Sequence, residues 1–176
     1  MLDTLITSKT RVKLLMKFFL NSRTTSYLRD LEGEFGESTN AIRVELNRLE
    51  EAGLLRSSRE SNKKIYQANQ RHPLFGDIHS LLRKHTGMDQ IIEQVVEKLG
   101  NVHSAFVLGH FARGLDHDTI ELLLVGEDID LEYLHRLIDR AEKTIGRRIK
   151  LVMQSPAEAP AFLKAYPEAL LLWQDK

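Results

Sequence analysis

The chain of 176 residues contains no cysteine. That excludes disulfides, thiolate-bound zinc and a cysteine nucleophile. It has 4 prolines and a single tryptophan, and no apolar run approaches the length that crosses a bilayer. The opening segment MLDTLITSKTRVKLLMKFFL sets an acid and several cations among its apolar residues, which is not the pattern of a secretory leader. A cytoplasmic protein with no membrane partner is expected. Neither sign of charge is in excess, because 25 Lys and Arg balance 25 Asp and Glu. The balance is uneven along the chain, however. Residues 1–71 hold 13 Lys and Arg against 9 Asp and Glu, which leaves 12 against 16 for the remainder. A polyanionic partner would therefore meet the first part of the chain.

Within residues 1–71, Ser8 to Leu20 repeats Val12, Leu15, Phe18 and Phe19 at helical spacing, and Asn21-Ser22 breaks the pattern. A second helix is expected from Ser26 to Phe35, burying Leu28, Leu31 and Phe35 and ending at Gly36. Ser38 is a good N-cap for a third helix running to Ala52, with Gly53 just beyond its end. Ile42, Leu46 and Leu49 form its apolar stripe, while Thr39, Asn40, Arg43 and Asn47 share a polar face. Leu54–Ser57 and Lys64–Ala68 then read as two short strands joined by a polar turn, Ser58–Lys63, with Arg56, Arg59, Lys63 and Lys64 in and around it.

This order, with "LNRLEEAGLLRSSRESNKKIYQAN" at its end, resembles the winged helix-turn-helix domain of bacterial ArsR/MarR-like regulators. In those families a recognition helix ends in a Gly-Leu pair and is followed by a basic hairpin wing. The resemblance implies that double-stranded DNA is the partner. A helix fits the major groove, Asn and Arg pair with adenine and guanine edges, and a basic hairpin meets phosphates. On this reading Ser38, Thr39, Asn40, Arg43 and Asn47 face the groove, and Arg56, Arg59, Lys63 and Lys64 face the DNA backbone. Glu45, Glu50, Glu51 and Glu60 are expected near that surface, where acids weaken binding.

Residues 72–100 read as a helical connector with two apolar stripes. Leu74, Phe75, Ile78, Leu81 and Leu82 make the first, and Ile91, Ile92, Val95, Val96 and Leu99 the second. These stripes suit either a homodimer contact or the chain's own core.

Residues 101–176 read as a small α/β domain. Strands are expected at Val102–Leu108, Ile120–Val125 and Arg148–Met153, with a helix at Leu131–Ile145 and another near Ala157–Ala165. Leu170–Trp173 is too short to assign. The segment "GHFARGLDHDTIELLLVG" resembles the minimal nucleotidyltransferases of the DNA-polymerase-beta superfamily, in which a Gly-Ser turn and an Asp-x-Asp strand assemble a magnesium and nucleotide site. Carried over position by position, the serine falls on His110 and the two aspartates on Thr119 and Glu121. The third acid falls in "RRIKLVM", where Lys150 or a neighbour stands. Two-metal transfer needs several carboxylates, and one glutamate with a threonine is a poor magnesium shell.

No catalytic residue, cofactor or metal is therefore assigned. Gly109, His110, Arg113, Gly114 and Glu121 are kept as the remnant of a ligand site whose turn suits an anion. His103, His110 and His117 recur every seven residues across a strand and a loop, and imply no shared face.

The whole chain is thus expected to be an α+β protein: a winged helix, a helical connector and an inactive nucleotidyltransferase-like domain. Its expected role is DNA-binding transcriptional regulation, with the last domain serving a small ligand, a regulatory protein or dimerisation. Two competing readings are an active transferase using Glu121 with Asp116 or Asp118, and a protein-interaction module that does not bind DNA.

Overall fold

A computed structural model describes all residues, Met1–Lys176. The chain is α+β and divides into two compact units, Met1–His85 and Thr86–Lys176. Residues 72–100, expected as a connector, are thereby divided: 72–85 belong to the first unit and 86–100 to the second.

The first unit begins with a short helix α1 (Leu2–Leu5) and α2 (Lys9–Leu15), whose last residues run into a π-helical turn, Met16–Leu20. The Ser8 hydroxyl caps α2 by accepting the Arg11 N–H. A two-residue strand β1 (Thr25–Ser26) precedes α3 (Leu28–Phe35), so the second helix starts later than its periodicity predicts. Ser26 instead enters the sheet by pairing with Tyr66. Gly36, at φ 62°, ends α3 in the left-handed region, and the chain continues into α4 (Thr39–Glu51). The expected cap of α4 is present: the Ser38 hydroxyl accepts the Ala41 N–H at 3.2 Å.

Strands β2 (Leu55–Glu60) and β3 (Lys63–Ala68) pair antiparallel, and the sheet order is β1-β3-β2. Pairing continues to Glu60↔Lys63, so the turn is the two residues Ser61-Asn62, with Ser61 at φ 53°. The six-residue turn expected from the polarity of Ser58–Lys63 is corrected. Most residues near the hairpin tip are exposed, so polarity does not separate strand from turn there. Phe18, Phe19, Leu31, Ile42, Leu46, Leu55 and Tyr66 form the core of this unit, each worth about 1.5–3 kcal/mol of burial. Helix α5 (Phe75–Thr86) follows, with the Phe75 ring 5.6 Å from that of Phe19 and His79 Nδ1 2.7 Å from the Phe19 carbonyl oxygen.

The second unit opens with α6 (Met88–Ile91), a π-helical turn (Ile92–Val96) and α7 (Glu97–Leu99). Strand β4 (Val102–Leu108) leads to a one-turn helix α8 (Gly109–Ala112), then β5 (Thr119–Gly126), α9 (Leu131–Ile145) and β6 (Arg148–Gln154). Helix α10 (Ala159–Leu163) and strand β7 (Leu170–Gln174) complete the chain. The sheet order is β6-β5-β4-β7, with β5 and β6 parallel across α9 and the other pairs antiparallel. Leu170–Trp173 thus lies in an edge strand, with Phe106 opposite Leu171. Leu134, Leu137, Ile138 and Ala141 of α9 are buried, as are Met88, Ile91, Val95 and Val96. A separate cluster joins Leu108, Leu123 and Val125 of the sheet to Ala159 and Ala169, flanked by Phe162 and Tyr166.

Candidate nucleic-acid interface

Helix α4 supplies the centre of the candidate interface. Thr39, Arg43 and Asn47 follow one another at intervals of four, which places them along one side of the helix. With the wing residues Asn62, Lys63 and Lys64 they line a groove of about 630 Å3. Arg43, Asn47 and Asn40 are exposed. The Ser38 hydroxyl is engaged as the helix cap, so its structural role comes first.

The groove also takes in Tyr27, Arg29 and Glu32 from the start of α3. These residues escape a sequence reading that examines α3 only for its buried stripe. The signal is present in the run Tyr27-Leu28-Arg29, where an exposed cation follows a half-buried aromatic ring. The Lys63 ammonium stands 4.2 Å from the centroid of the Tyr27 ring and so bridges wing and helix.

The four wing cations do not act alike. Strand side chains alternate between faces, so Arg56 and Arg59, three positions apart, stand on opposite faces of β2. Arg59 shares its face with Lys64, opposite which it pairs, and both Arg56 and Arg59 are exposed. Lys64 is already engaged: its ammonium donates to Glu50 at 2.6 Å and stands 5.1 Å from the Tyr66 ring. The Ser57 hydroxyl also donates to Glu50. The Lys64 and Ser57 hydrogen bonds hold the Glu50 carboxyl below the ordinary glutamate value, and the same Glu50 contact raises Lys64. Of the wing cations expected to meet DNA, Lys64 therefore has its charge offset from within.

Glu45, expected among the surface acids, is buried. Its carboxylate accepts from Arg11 Nε at 2.8 Å and Nη2 at 3.2 Å, from the Ser8 hydroxyl at 3.0 Å and from Arg48 Nη1 at 3.2 Å. Burial acts to raise its pKa. The hydrogen bonds of Arg11 and Ser8 and the charges of Arg11 and Arg48 outweigh that, and the group titrates below the ordinary value. Glu45 thus ties the start of α2 to the middle of α4 and presents no free anion at the groove.

In the second unit, Gly109 and Glu121 of the expected ligand site lie against each other. Thr119 and Glu121 lie two apart on β5, so they share a face, and Lys150 stands directly opposite Glu121 in the parallel register. The Lys150 ammonium is 3.9 Å from the Glu121 carboxylate. Gly109, at φ 63°, packs so closely on Glu121 that a Cβ there would lie 2.8 Å from the carboxyl carbon and closer still to an oxygen. The Glu121 carboxylate thus stands against the turn expected to suit an anion. Arg113 is exposed, and Gly114 is buried.

The His110 and His117 rings stack at 4.3 Å with an angle of 11° between planes, so the two are brought together despite lying on different elements. His117 Nδ1 accepts the Thr119 N–H at 3.1 Å. Arg147 pins the same turn, donating to Asp116 and to the His117 carbonyl, each at 2.7 Å. No group of three His, Asp or Glu side chains comes together to hold a metal ion.

No family model matches the chain, and no curated protein is similar to it at a significant level. Solved structures that are similar in part include the following two. A candidate nucleotidyltransferase from Sulfolobus solfataricus is 20% identical, with a TM-score of 0.38, over 55% of this chain and 86% of its own. The transcriptional regulator BldR from the same organism is 18% identical, with a TM-score of 0.37, over 53% of this chain and 68% of its own. At these scores neither likeness bears on function. No helix is long and apolar enough to cross a membrane.

Proposed function

We propose that the chain is a sequence-specific, double-stranded-DNA-binding transcriptional regulator. The observation that carries this reading is the groove in which Thr39, Arg43 and Asn47 of α4 meet Asn62 and Lys63 of the wing. Arg43 and Asn47 supply the bidentate donors and acceptors that read guanine and adenine in the major groove. Arg29, Arg59 and Lys63 supply phosphate contacts that carry no sequence information. Residues 1–71 hold the excess of positive charge such a partner requires. The half-exposed stripe of α5, where Ile78 and Leu81 are partly exposed, together with the exposed Leu74 just before it, favours a homodimer on two half-sites.

For the second unit our reading is an inactive nucleotidyltransferase-like module used for regulation or for binding a ligand or partner. The pairing of Glu121 with Lys150 supports inactivity, because an ammonium stands where a further carboxylate would be needed to hold magnesium.

The test is binding of the full chain to labelled duplex from upstream of its own gene, against scrambled duplex, at several salt concentrations. The expected result is specific binding with a log–log salt slope of roughly −0.9 per phosphate contacted, and loss of the specific component in Arg43→Ala. Equal binding to every duplex, including those selected from a random pool, would overturn sequence specificity. Transfer of label from a nucleoside triphosphate with magnesium, abolished in Glu121→Ala, would overturn the reading of the second unit.

A further inference from the structure

Helix α4 carries one large apolar side chain that the core does not take. Val44 is 39% exposed, whereas Ile42, Leu46 and Leu49 are buried. At 100° per residue Val44 points about 140–160° away from those three. It therefore sits near the middle of the exposed face, with Asn40 one turn before it, Asn47 and Arg48 one turn after it, and Arg43 beside it. Single exposed apolar residues are ordinary on protein surfaces and need no explanation. Val44 differs from the other exposed apolar residues, Met1, Leu5, Leu74, Leu131 and Leu171, in lying on the recognition helix among side chains able to read bases. Helix stability does not favour it either, since a β-branched residue is a weaker helix former than the straight chains around it.

The major groove offers one apolar group at the base edges, the C5-methyl of thymine, while its other features there are hydrogen-bond donors and acceptors. We propose that Val44 is a specificity-determining residue that packs on a thymine methyl, adding to the recognition helix a discrimination that Arg43 and Asn47 do not provide. This rests on the DNA-binding reading above. Val44 and Asn47 are separated by about 4.5 Å along the helix axis, against roughly 3.4 Å per base pair. The thymine is therefore placed within one or two base pairs of the base that Asn47 contacts. Cytosine at that position carries only a C5–H where thymine has its methyl, so the valine loses its apolar contact. Adenine and guanine would bring polar edges with no partner.

The test uses the full-length protein and the duplex it selects from a random pool. Each thymine is replaced in turn by deoxyuridine, which removes the methyl and keeps the base pair, and affinity is read by fluorescence anisotropy. At one thymine the wild-type protein is expected to lose about four-fold in affinity, the equivalent of one buried methyl group. Val44→Ala is expected to bind the thymine duplex about as weakly as the wild type binds the deoxyuridine duplex, and to be indifferent to that replacement. Val44→Thr, which keeps one methyl, should retain part of the preference.

Three results overturn the inference while leaving DNA binding intact. The selected duplexes share no thymine, every deoxyuridine is tolerated within error, or Val44→Ala keeps the full deoxyuridine penalty. Failure of the wild type to enrich any duplex overturns the DNA-binding reading itself, and the inference with it.

Discussion

Replacing Glu45 by glutamine keeps the shape of this buried side chain of α4 and removes its charge. The carboxylate accepts four hydrogen bonds, three of them from guanidinium groups. Glutamine has one acceptor oxygen, and its amide N–H groups cannot accept from the guanidinium groups. A charge-assisted bond contributes roughly 1.5–3 kcal/mol, and breaking a fully buried ion pair costs roughly 3–5 kcal/mol. Arg11 and Arg48 retain 36% and 60% side-chain exposure, which screens the pair and sets the expectation near the lower figures. Glu45→Gln should therefore destabilise the first unit by about 2 kcal/mol at pH 7.

The pH dependence has a definite sign. Because the folded-state pKa of Glu45 is lowered, its contribution is complete above the ordinary glutamate value of about 4.3 and fades as pH falls through the lowered value. The gap between wild type and Glu45→Gln should hold from pH 7 to about pH 5 and then narrow below about pH 4. Urea unfolding followed by circular dichroism at several pH values reads the gap. The fluorescence of Trp173, the sole tryptophan, lies in the second unit and serves as an internal control. A gap that stays constant down to pH 3.5, or is absent at pH 7, would refute the electrostatic account.

Three further outcomes follow from the same contacts. Glu50→Gln should release Lys64 toward DNA, tightening binding and steepening the log–log salt slope by about 0.9; an unchanged slope in a salt titration would show that Lys64 does not reach a phosphate. Gly109→Ala should destabilise the second unit by about 1 kcal/mol, because alanine resists its positive φ. The Glu121 carboxylate is the end of a flexible chain and can move aside, so adding Glu121→Ala should not restore thermal stability; full restoration would assign the cost to the clash instead. Leu46→Ala should cost about 2–5 kcal/mol by opening a cavity under α4, and a shift in the urea midpoint of the circular dichroism signal well under 1 kcal/mol would contradict the packing described.

Much of the architecture is legible in the sequence because it rests on short-range regularities. The Ser38 cap and the stripe Ile42–Leu46–Leu49 arise within one or two helical turns, and both are found where periodicity places them. The alternation of β5, and with it the shared face of Thr119 and Glu121, is likewise local. The misread charges involve partners farther along the chain. Glu45 looks like a surface acid until Arg11, 34 residues away, is folded beside it. Lys64 looks free until Glu50 meets it across the bend from α4 to the wing. The six-residue turn of the wing shrinks to two because the strand pairing runs on through residues that water would also accept.

What the sequence by itself determined is the menu of chemistry: no thiols, a first part richer in cations, a helix with Arg43 and Asn47 on its polar face, and a strand carrying the single acid Glu121. Only the tertiary structure decided which of those charges remain available. Helical and strand periodicities are set by neighbours a few residues apart, whereas ion pairing depends on which distant side chains packing brings within about 4 Å. That packing assigned Glu45 to Arg11 and offset Lys64 with Glu50. It also set Lys150 beside Glu121, and left Arg43, Val44 and Asn47 on the exposed side of the helix.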